Sequence, residues 1–328
     1  MIDKVDLRVP GYVDYTPEFS ALYQELRNDP KGPFRTSQHY LASADLRKFG
    51  HPVILHTHCT RDKKGNHKLE LLDTGVMGYS RMGNEISRIF NTPPGQLEIM
   101  RVDLAADVVG VPVPWFEKNM GVTFKRWTNG IGVADPDDLQ FSKMGKRGVE
   151  TCNFGKRPNF YRVYDKITEL KGQYVKLKQQ AKRDHGHLEG FPTFEQFCGY
   201  PETGFILTRV ERQIGGARIP EELSTFASLR QAADFNPFSR IKFLNAGSPQ
   251  PSFDDYEFST LATGMFLRRL VEEQGFHRAK QFVNQHSERN AIRIFKTYRH
   301  FLPSDENLFN SEKLLNLYRI SVAKQLAA

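Results

Sequence analysis

The sequence predicts an α+β fold: an antiparallel sheet with flanking helices, followed by an all-helical C-terminal region. Two observations lead to this prediction. Segments with strand-like and helix-like spacing alternate irregularly up to about residue 245, whereas every segment after a linker of small residues and proline has helical spacing. We therefore expect an α+β domain over residues 1–245 and a helical domain over residues 253–328.

The first predicted elements are a hairpin, a helix, a strand and a second helix. Alternating apolar residues on either side of a turn predict the hairpin. Apolar residues three and four apart predict the helices, and prolines lie at the end of the first helix and the start of the second. The four elements span residues 51–73, 79–90, 97–109 and 113–127.

The second group begins with two strands joined by a glycine- and proline-containing turn, followed by a lysine-rich helix. A further strand and a helix that opens with proline and two glutamates complete the first domain. These five elements span residues 150–154, 160–166, 167–183, 204–215 and 220–233. Four helices are expected in the C-terminal region, over residues 261–274, 277–284, 291–300 and 312–325.

The composition is that of a folded protein with a sizeable core: 39% of the 328 residues are hydrophobic and 12% are aromatic. No apolar run approaches the roughly 20 residues of a membrane span, and the N-terminal residues are too polar for a signal peptide. The three cysteines are odd in number and far apart in sequence, which favours a reducing compartment. We therefore expect a cytoplasmic protein that does not bind membranes.

The positive charge is concentrated in one segment. Residues 140–185 contain twelve Lys or Arg and four acidic residues, an excess equal to the whole net charge of +8. Aromatic residues are interleaved with these cations. Because phosphates attract cations and unpaired bases stack on rings, this segment favours a nucleic-acid partner over a merely solvated basic helix.

Three predicted strands present the same pattern on one face. Residues two apart on a strand share a face, and each strand places a reactive group two residues after an arginine: Asp103 after Arg101, Tyr164 after Arg162, and Glu211 after Arg209. On the first strand this face also carries Ile99, Ala105 and Asp107, whereas Met100, Val102, Leu104 and Ala106 form the core face.

If these faces align in one sheet, two carboxylates, a phenol and Lys166 meet three guanidinium groups. Carboxylate oxygens are ligands that Mg²⁺ and Mn²⁺ prefer, and a metal-bound phosphate beside a phenol is a site for nucleophilic substitution. The alternative is a set of surface salt bridges, each of small energetic value. Repetition of the pattern on three strands favours the site.

His56 and His58 are a second candidate metal pair. They share a face of the first predicted hairpin, and neutral imidazole is a common metal ligand. The alternative is an ordinary exposed polar face.

Four short blocks resemble a known family. The blocks are MRVDLAAD (100–107), TCNFG (151–155), RVYDK (162–166) and TRVE (208–211). Their order and spacing resemble those of the rolling-circle replication initiation factors, which include plasmid initiators and filamentous-phage nicking proteins. The opening of the chain is most similar to the Pf-type inovirus members, and the resemblance covers residues 1 to about 245.

The resemblance implies the rolling-circle initiator nuclease fold and a site-specific endonuclease and strand transferase. Such a protein binds origin DNA, single-stranded or in a hairpin, and nicks one strand. It stays joined to the 5′ end through a phosphotyrosine, and later rejoins the displaced strand. A host helicase and a single-strand-binding protein would be its partners.

The resemblance leaves three hypotheses for the nucleophile. Plasmid members carry the tyrosine in a Tyr-x-Gly block, where this chain has Asn153. Phage members have a tyrosine followed two residues later by lysine, which matches Tyr164 and Lys166 and makes Tyr164 our first candidate. Tyr161 is the second. In the third hypothesis Asn153 replaces the true nucleophile and this chain cannot nick.

We expect Asp103 and Glu211 to hold one Mg²⁺ or Mn²⁺ ion. Asp107 would be a further ligand or would hold Arg101. Further cations are expected to contact the DNA or to offset phosphate charge, namely Arg101, Lys156, Arg157, Arg162, Lys166 and Arg209. Arg162 or Lys166 would also stabilise the phenolate of Tyr164, so Lys166 is a candidate catalytic residue.

Two alternatives remain at this stage: a DNA-binding regulator without chemistry, and an RNA-binding protein. The helical region is expected to bind duplex DNA or to form a homodimer. Cations at helical spacing lie there, at Arg289, Arg293, Lys296 and Arg299.

Overall fold

The computed structural model describes residues 1–328 apart from residues 62, 73, 76, 123–124, 129–130, 135–138, 146–147, 157–158, 186–187, 189, 244–256, 275, 287–290, 299–300 and 302–309. The described residues contain strands and helices in mixed order. In chain order they are β1 (Ile2–Val9), α1 (Pro17–Asn28), β2 (Tyr40–Asp45), β3 (Val53–Cys59), β4 (His67–Leu71), α2 (Tyr79–Ile89), β5 (Glu98–Val109), α3 (Val113–Asn119), β6 (Met120–Val122), β7 (Lys125–Thr128), β8 (Ile131–Ala134), β9 (Leu139–Gly145), β10 (Gly148–Lys156), β11 (Asn159–Asp165), α4 (Lys166–His185), α5 (Phe194–Cys198), β12 (Leu207–Gly215), β13 (Ile241–Phe243), α6 (Phe258–Gln274), α7 (Phe276–His286), α8 (Ala291–Thr297) and α9 (Ser311–Ala327).

A large sheet organises the described part of the chain. Its nine strands follow the order β2-β3-β4-β1-β5-β12-β11-β10-β9, and every pair of neighbours is antiparallel. Two small antiparallel pairs, β13 with β6 and β7 with β8, stand apart from it. The predicted α+β class with C-terminal helices is therefore confirmed.

One face of the sheet is covered by the core. The core face includes Leu7 of β1, Val102 of β5, Val210 of β12 and Val163 of β11, all fully buried, and on the central strands β5 and β12 part of the opposite face is buried as well. Apolar residues of α1, α2, α3 and α9 belong to the same hydrophobic cluster. The opposite face is left to polar side chains, and its central strands carry the candidate site.

The C-terminal helices divide between two hydrophobic clusters. Helices α6, α7 and α8 pack on one another through Leu267, Leu270 and Val283, among others. Helix α9 instead joins the core of the sheet, where the Tyr318 hydroxyl donates to the carbonyl of Ala232 at 2.6 Å. The helix predicted over 312–325 therefore packs with the first of the two predicted domains.

One predicted helix is too long and another is absent. The helix expected over 113–127 ends at Asn119, because the chain turns extended at Met120 and pairs as β6 with β13. The helix expected over 220–233 is replaced by short 3₁₀ turns. There the backbone pairs with the N-terminal end of β5, where the carbonyl of Ser224 accepts a hydrogen bond from the Ile99 amide. Ser228 makes turn hydrogen bonds with Thr225.

The predicted face of β5 is also wrong at one end. Arg101 lies opposite Asp6 of β1, but Ile99 lies opposite Leu7, so Met100 is an extra residue that forms a bulge. The bulge turns Ile99 into the core and removes Met100 from it. Arg101 and Asp103 keep the predicted polar face.

Among the helices that the structure describes, none is both long and apolar enough to cross a membrane.

Candidate active site on the polar face of the sheet

The three strands that carry the repeated pattern are direct neighbours. β12 lies between β5 and β11, with Glu211 opposite Arg162 on one side and Arg209 opposite Asp107 on the other. Tyr164 lies opposite Arg209. Antiparallel pairing thus brings the predicted side chains together on one face, because residues directly opposite on neighbouring strands point the same way.

Asp103 is buried and held by the neighbouring arginine. Its side chain accepts from Arg101 Nε at 2.8 Å and from Arg101 Nη2, and the residue is 3% exposed. Burial raises the pKa of Asp103, and the charges of Asp3 and Asp6 raise it further against the opposing effect of Arg101. This carboxylate therefore lies in an acidic environment that a cation would relieve.

Glu211 lies at the centre of the site. It is 2% exposed, and its Oε1 atom accepts no hydrogen bond from any described residue. Arg162 Nη1 lies 3.9 Å from Oε1, too far for a hydrogen bond. Burial, with added repulsion from Asp103 and Asp3, raises the pKa of Glu211 to about 7, although Arg162 opposes the shift. Glu211 therefore changes charge near neutral pH.

Tyr164 is hydrogen-bonded to this carboxylate. Its hydroxyl donates to Glu211 Oε2 at 3.3 Å, and the guanidinium carbon of Arg162 lies 5.8 Å from the ring centroid. Lys166 Nζ lies 5.9 Å from the same centroid and pairs with Glu169 at 2.6 Å. Burial raises the pKa of Tyr164 well above 10, and Asp3 and Glu211 add to the shift. The phenol is therefore protonated at neutral pH and has a proton acceptor beside it.

Arg209 and Asp107 do not have the roles predicted for them. Arg209 is 5% exposed and pairs with both oxygens of Asp107, at 2.6 and 2.7 Å, and with Asp3. Because three polar contacts already engage its guanidinium, Arg209 holds the strands together and does not face a phosphate. Asp107 holds Arg209, not Arg101.

Sequence reasoning missed Asp3. Strand alternation would place Asp3 on the face opposite Lys4, but the pairing of β1 with β5 shifts register between Ile2 and Lys4. This irregularity brings Asp3 to Arg209. A register shift depends on the partner strand, so no signal in the local sequence could have revealed it.

A groove lies beside Tyr164, between β10, β11 and α4. Its volume is about 840 Å³. Asn153 lies opposite Arg162 on the neighbouring strand, and its Oδ1 atom is buried without a hydrogen-bond partner among the described residues. The lining residues are Glu150, Thr151, Asn153, Gly155, Phe160, Arg162, Tyr164, Asp165, Thr168, Glu169, Gly172, Gln173 and Lys176.

Tyr161, the second nucleophile candidate, points to the other side of the sheet. It is fully buried in the core, and its hydroxyl donates to the carbonyl of Pro237 at 2.8 Å. Strand alternation separates it from Tyr164. The hypothesis that Tyr161 attacks a phosphate is therefore wrong.

The predicted basic segment is described only in part. Helix α4 packs Ile167 and Leu170 against a small apolar cluster and exposes its lysines at 176, 178 and 182. Lys156 ends β10, but its side chain and all of Arg157 lie outside the described residues. In the helical region Arg293 and Lys296 are exposed on α8, whereas Arg289 and Arg299 are not described.

His56 and His58 are not brought together as a metal pair. The ring nitrogens of His56 contact Ser43 Oγ at 2.6 Å and Glu70 Oε1 at 3.1 Å. His58 has a positive φ of 45°, and its ring packs 4.4 Å from that of His67. The left-handed backbone at His58 therefore turns it toward another partner.

A second group of charges lies on the same face, across β1 and β4. We call Lys4, Asp6, Lys68 and Glu70 the lysine–carboxylate network. Lys68 contacts Glu70 at 2.6 Å and Asp6 at 2.9 Å, and Lys4 contacts Glu70 at 2.7 Å. Hydrogen bonds from His56, Lys4 and Lys68 hold the pKa of Glu70 well below its usual range against the effect of burial.

The carboxylates of the site fit a divalent cation in their chemistry. Glu211 Oε1 is a buried carboxylate oxygen without a hydrogen bond, and Asp103 lies close enough to raise the pKa of Glu211. Among the described residues, no three His, Cys, Asp or Glu are grouped around one ion position. A pair of carboxylates without a third protein ligand suits Mg²⁺, which is often held by one or two carboxylates, water and substrate phosphate.

Comparison of the chain with models of known protein families and with curated proteins gave no match. The function of the chain must therefore be inferred from the chemistry of this site.

Proposed function

We propose that this chain is a rolling-circle DNA replication initiator that nicks one strand at an origin with Tyr164 and later rejoins it. The observation that carries the proposal is the 3.3 Å hydrogen bond from the Tyr164 hydroxyl to Glu211, whose pKa lies at about 7. A phenol must lose its proton to attack a phosphate, and a buried carboxylate that titrates near neutrality is suited to accept it.

The two oxygens of Glu211 would have separate tasks. Oε2 accepts the hydrogen bond from Tyr164, while Oε1 has no hydrogen-bond partner among the described residues and is free for an ion. Asp103 would be the second ligand of that ion once Arg101 turns toward the DNA phosphate. When bound, Mg²⁺ or Mn²⁺ would withdraw charge from the phosphoryl oxygens.

The nicking step conserves atoms and charge. The Tyr164 oxygen forms a bond to phosphorus as its proton passes to Glu211, and the bond from phosphorus to the 3′ oxygen breaks. The leaving oxygen takes a proton from water and becomes the 3′-OH that a polymerase extends, and Glu211 then releases its proton to the hydroxide left in the solvent. The 5′ phosphate stays on Tyr164 as a phosphodiester, so the reverse reaction can rejoin a strand.

The surrounding cations would hold the strand. Arg162 lies in the groove beside Tyr164, with about one third of its side chain exposed (31%). It can pair with a phosphate while its guanidinium stays near the rings of Phe160 and Tyr164. Lys176 of α4 lines the same groove, and the exposed Lys178 and Lys182 lie further along this helix, where they can attract the DNA backbone. A host helicase and a single-strand-binding protein would act on the nicked product.

The test is a nicking assay with Mn²⁺ on overlapping single-stranded oligonucleotides that cover the DNA element encoding the chain. We expect cleavage of one sequence by the wild-type protein and at least about a 100-fold loss in Asp103→Ala and Glu211→Ala. Full activity in both variants would contradict the assigned roles of these carboxylates.

A second candidate is a DNA-binding regulator without chemistry. One observation favours it: Asn153, which takes the position of the tyrosine in the plasmid-type block, lines the same groove as Tyr164. This candidate predicts binding of origin DNA without metal-dependent cleavage. Recovery of cleavage in Asn153→Tyr alone would support it over the nicking proposal.

A further inference from the structure

We infer that the groove beside Tyr164 is a nucleobase pocket in which Asn153 selects a base that carries an exocyclic amino group. This inference rests on the proposed nicking function and specifies which nucleotide the site would accept next to the scissile phosphate. The observations that carry it are the size of the groove, the polarity of its lining and the unpartnered amide oxygen of Asn153.

The groove has room for a nucleotide. Its volume of about 840 Å³ lies within the range of roughly 300–1,000 Å³ that is typical of small-ligand sites. Its floor consists of the polar face of β10 and β11, and its rim consists of the first turns of α4. Gly172 on the rim has no neighbour within 4 Å of an added Cβ, so the rim is open on the side of the helix.

The floor provides an anchor for a phosphate beside a contact for a base. Asn153 and Arg162 lie directly opposite each other on the two strands, so their Cβ atoms are roughly 5 Å apart. One nucleotide can span this separation with its phosphate at Arg162 and its base at Asn153. Of these two side chains only Arg162 carries a charge that attracts phosphate, so the reversed orientation is disfavoured.

The unpartnered atom determines the class of base. Asn153 Oδ1 is a buried acceptor that receives no hydrogen bond from the described residues, and such an atom gains most from a donor. Glu150 supplies a second acceptor to the groove. Cytosine, adenine and guanine present exocyclic amino donors at their base-pairing edge, whereas thymine has no amino group and presents two carbonyl oxygens beside its N3–H. The pocket should therefore favour a base with an amino group over thymine.

The probe is a pair of homopolymers, fluorescent oligo(dC) and oligo(dT), whose Kd values are measured by anisotropy at low salt with the full-length protein. Both bases are pyrimidines of similar size, and in a homopolymer the same base occupies the pocket in every register. We expect the wild type to bind oligo(dC) about tenfold more tightly than oligo(dT). Asn153→Ala should bind the two equally, with its Kd for oligo(dT) unchanged.

Two further variants separate base selection from a general loss of structure. Asn153→Asp keeps the acceptor oxygen, so it should retain the preference for oligo(dC) while binding both polymers more weakly. Asn28→Ala, a matched change at the exposed end of α1, should keep the wild-type Kd ratio.

Three results would overturn the inference. They are equal binding of the two polymers by the wild type, an unchanged ratio in Asn153→Ala, and an equal weakening of both polymers in that variant. Absence of any single-stranded DNA binding by the wild type would instead remove the proposed function itself. Nicking of one sequence by a protein without base preference would leave the proposed function standing and reject only the pocket.

Discussion

Two glutamates on the same face of the sheet behave in opposite ways. Glu70 in the lysine–carboxylate network receives hydrogen bonds from Lys4, Lys68 and His56, and its pKa lies well below the usual range. Glu211 is more deeply buried, accepts one long hydrogen bond from Tyr164, and has a pKa of about 7. Both are partly or fully removed from water, so the supply of cationic partners decides the difference.

The contrast separates a structural from a reactive arrangement. Both carboxylate oxygens of Glu70 are paired with a lysine within hydrogen-bonding distance, as in the ion pairs expected as an alternative. Around Glu211 an oxygen is left without a partner and the nearest guanidinium nitrogen is 3.9 Å away. A site that lacks its full set of contacts in the free protein can gain them from a ligand.

The largest expected effect is at the proposed nucleophile, Tyr164. Tyr164→Phe removes the attacking oxygen, so nicking should fall at least about 1,000-fold, since removal of a nucleophile removes the covalent route. The assay is cleavage of labelled single-stranded DNA. Tyr161→Phe is the matched control, because its hydroxyl lies on the core side of the sheet, where it donates to the carbonyl of Pro237. Equal losses in both variants would show that the effect is structural.

The two glutamates themselves give the next test. Glu211→Gln should lower the nicking rate by about 100-fold or more, because an amide cannot accept the phenol proton. Glu70→Gln should leave the rate within about threefold, since the network binds no reacting group in the proposal. Nicking rates at matched protein stability decide between the two. A larger loss of nicking in Glu70→Gln than in Glu211→Gln would show that the reaction takes place at the lysine–carboxylate network and not at Glu211.

The pH profile sharpens the role of Glu211. Because its carboxylate must be deprotonated to bind the ion and to accept a proton, and burial raises its pKa to about 7 in the protein without metal, single-turnover nicking at subsaturating Mn²⁺ should rise about tenfold between pH 6 and pH 8. Glu211→Gln should show no such rise in its residual rate. A wild-type rate that is flat over this range would exclude Glu211 as the acceptor.

The smallest expected effect is on stability, and it has opposite sign at the two positions. The pKa of Glu211 is raised in the folded state, so its contribution to the free energy of unfolding falls as the pH rises from about 4.5 to about 7. Glu211→Gln should therefore stabilise the protein by about 1–2 kcal/mol at pH 8 and hardly at all at pH 4.

Glu70 should behave in reverse. Its pKa is lowered on folding, so its stabilising contribution is present above about pH 4.5 and is lost as the pH falls below that value. Glu70→Gln should cost about 1–2 kcal/mol at pH 8, and the cost should shrink toward pH 3. Urea unfolding followed by circular dichroism at several pH values measures both variants. Shifts of the same sign would contradict the contrast.

Strand alternation made the centre of the site predictable. The arginine pattern of three strands follows from a period of two residues, which is a local property, and the structure places Asp103, Glu211, Tyr164 and Arg162 on one face as expected. This period does not show that the three strands are neighbours, because sheet order is set by pairing between distant segments. Only the repetition of the pattern on all three strands indicated that they are adjacent.

The parts that sequence reasoning missed depend on long-range pairing. The bulge at Met100 and the register shift at Asp3 exist only because β1 pairs with β5. The 3₁₀ turns after residue 220 form where the backbone joins the edge of that strand, which overrides local helix propensity. The engagement of Arg209 by Asp3 and Asp107 has the same origin, so its predicted contact with DNA was wrong.

The central claim is that Tyr164 becomes covalently joined to DNA. The most direct measurement is incubation of the protein with Mn²⁺ and the labelled single-stranded oligonucleotides, followed by a denaturing gel and mass spectrometry of the adduct. We predict a 5′-phosphotyrosine on Tyr164 in the wild type and none in Tyr164→Phe. An adduct on another residue, or an adduct that appears only in Asn153→Tyr, would contradict the account.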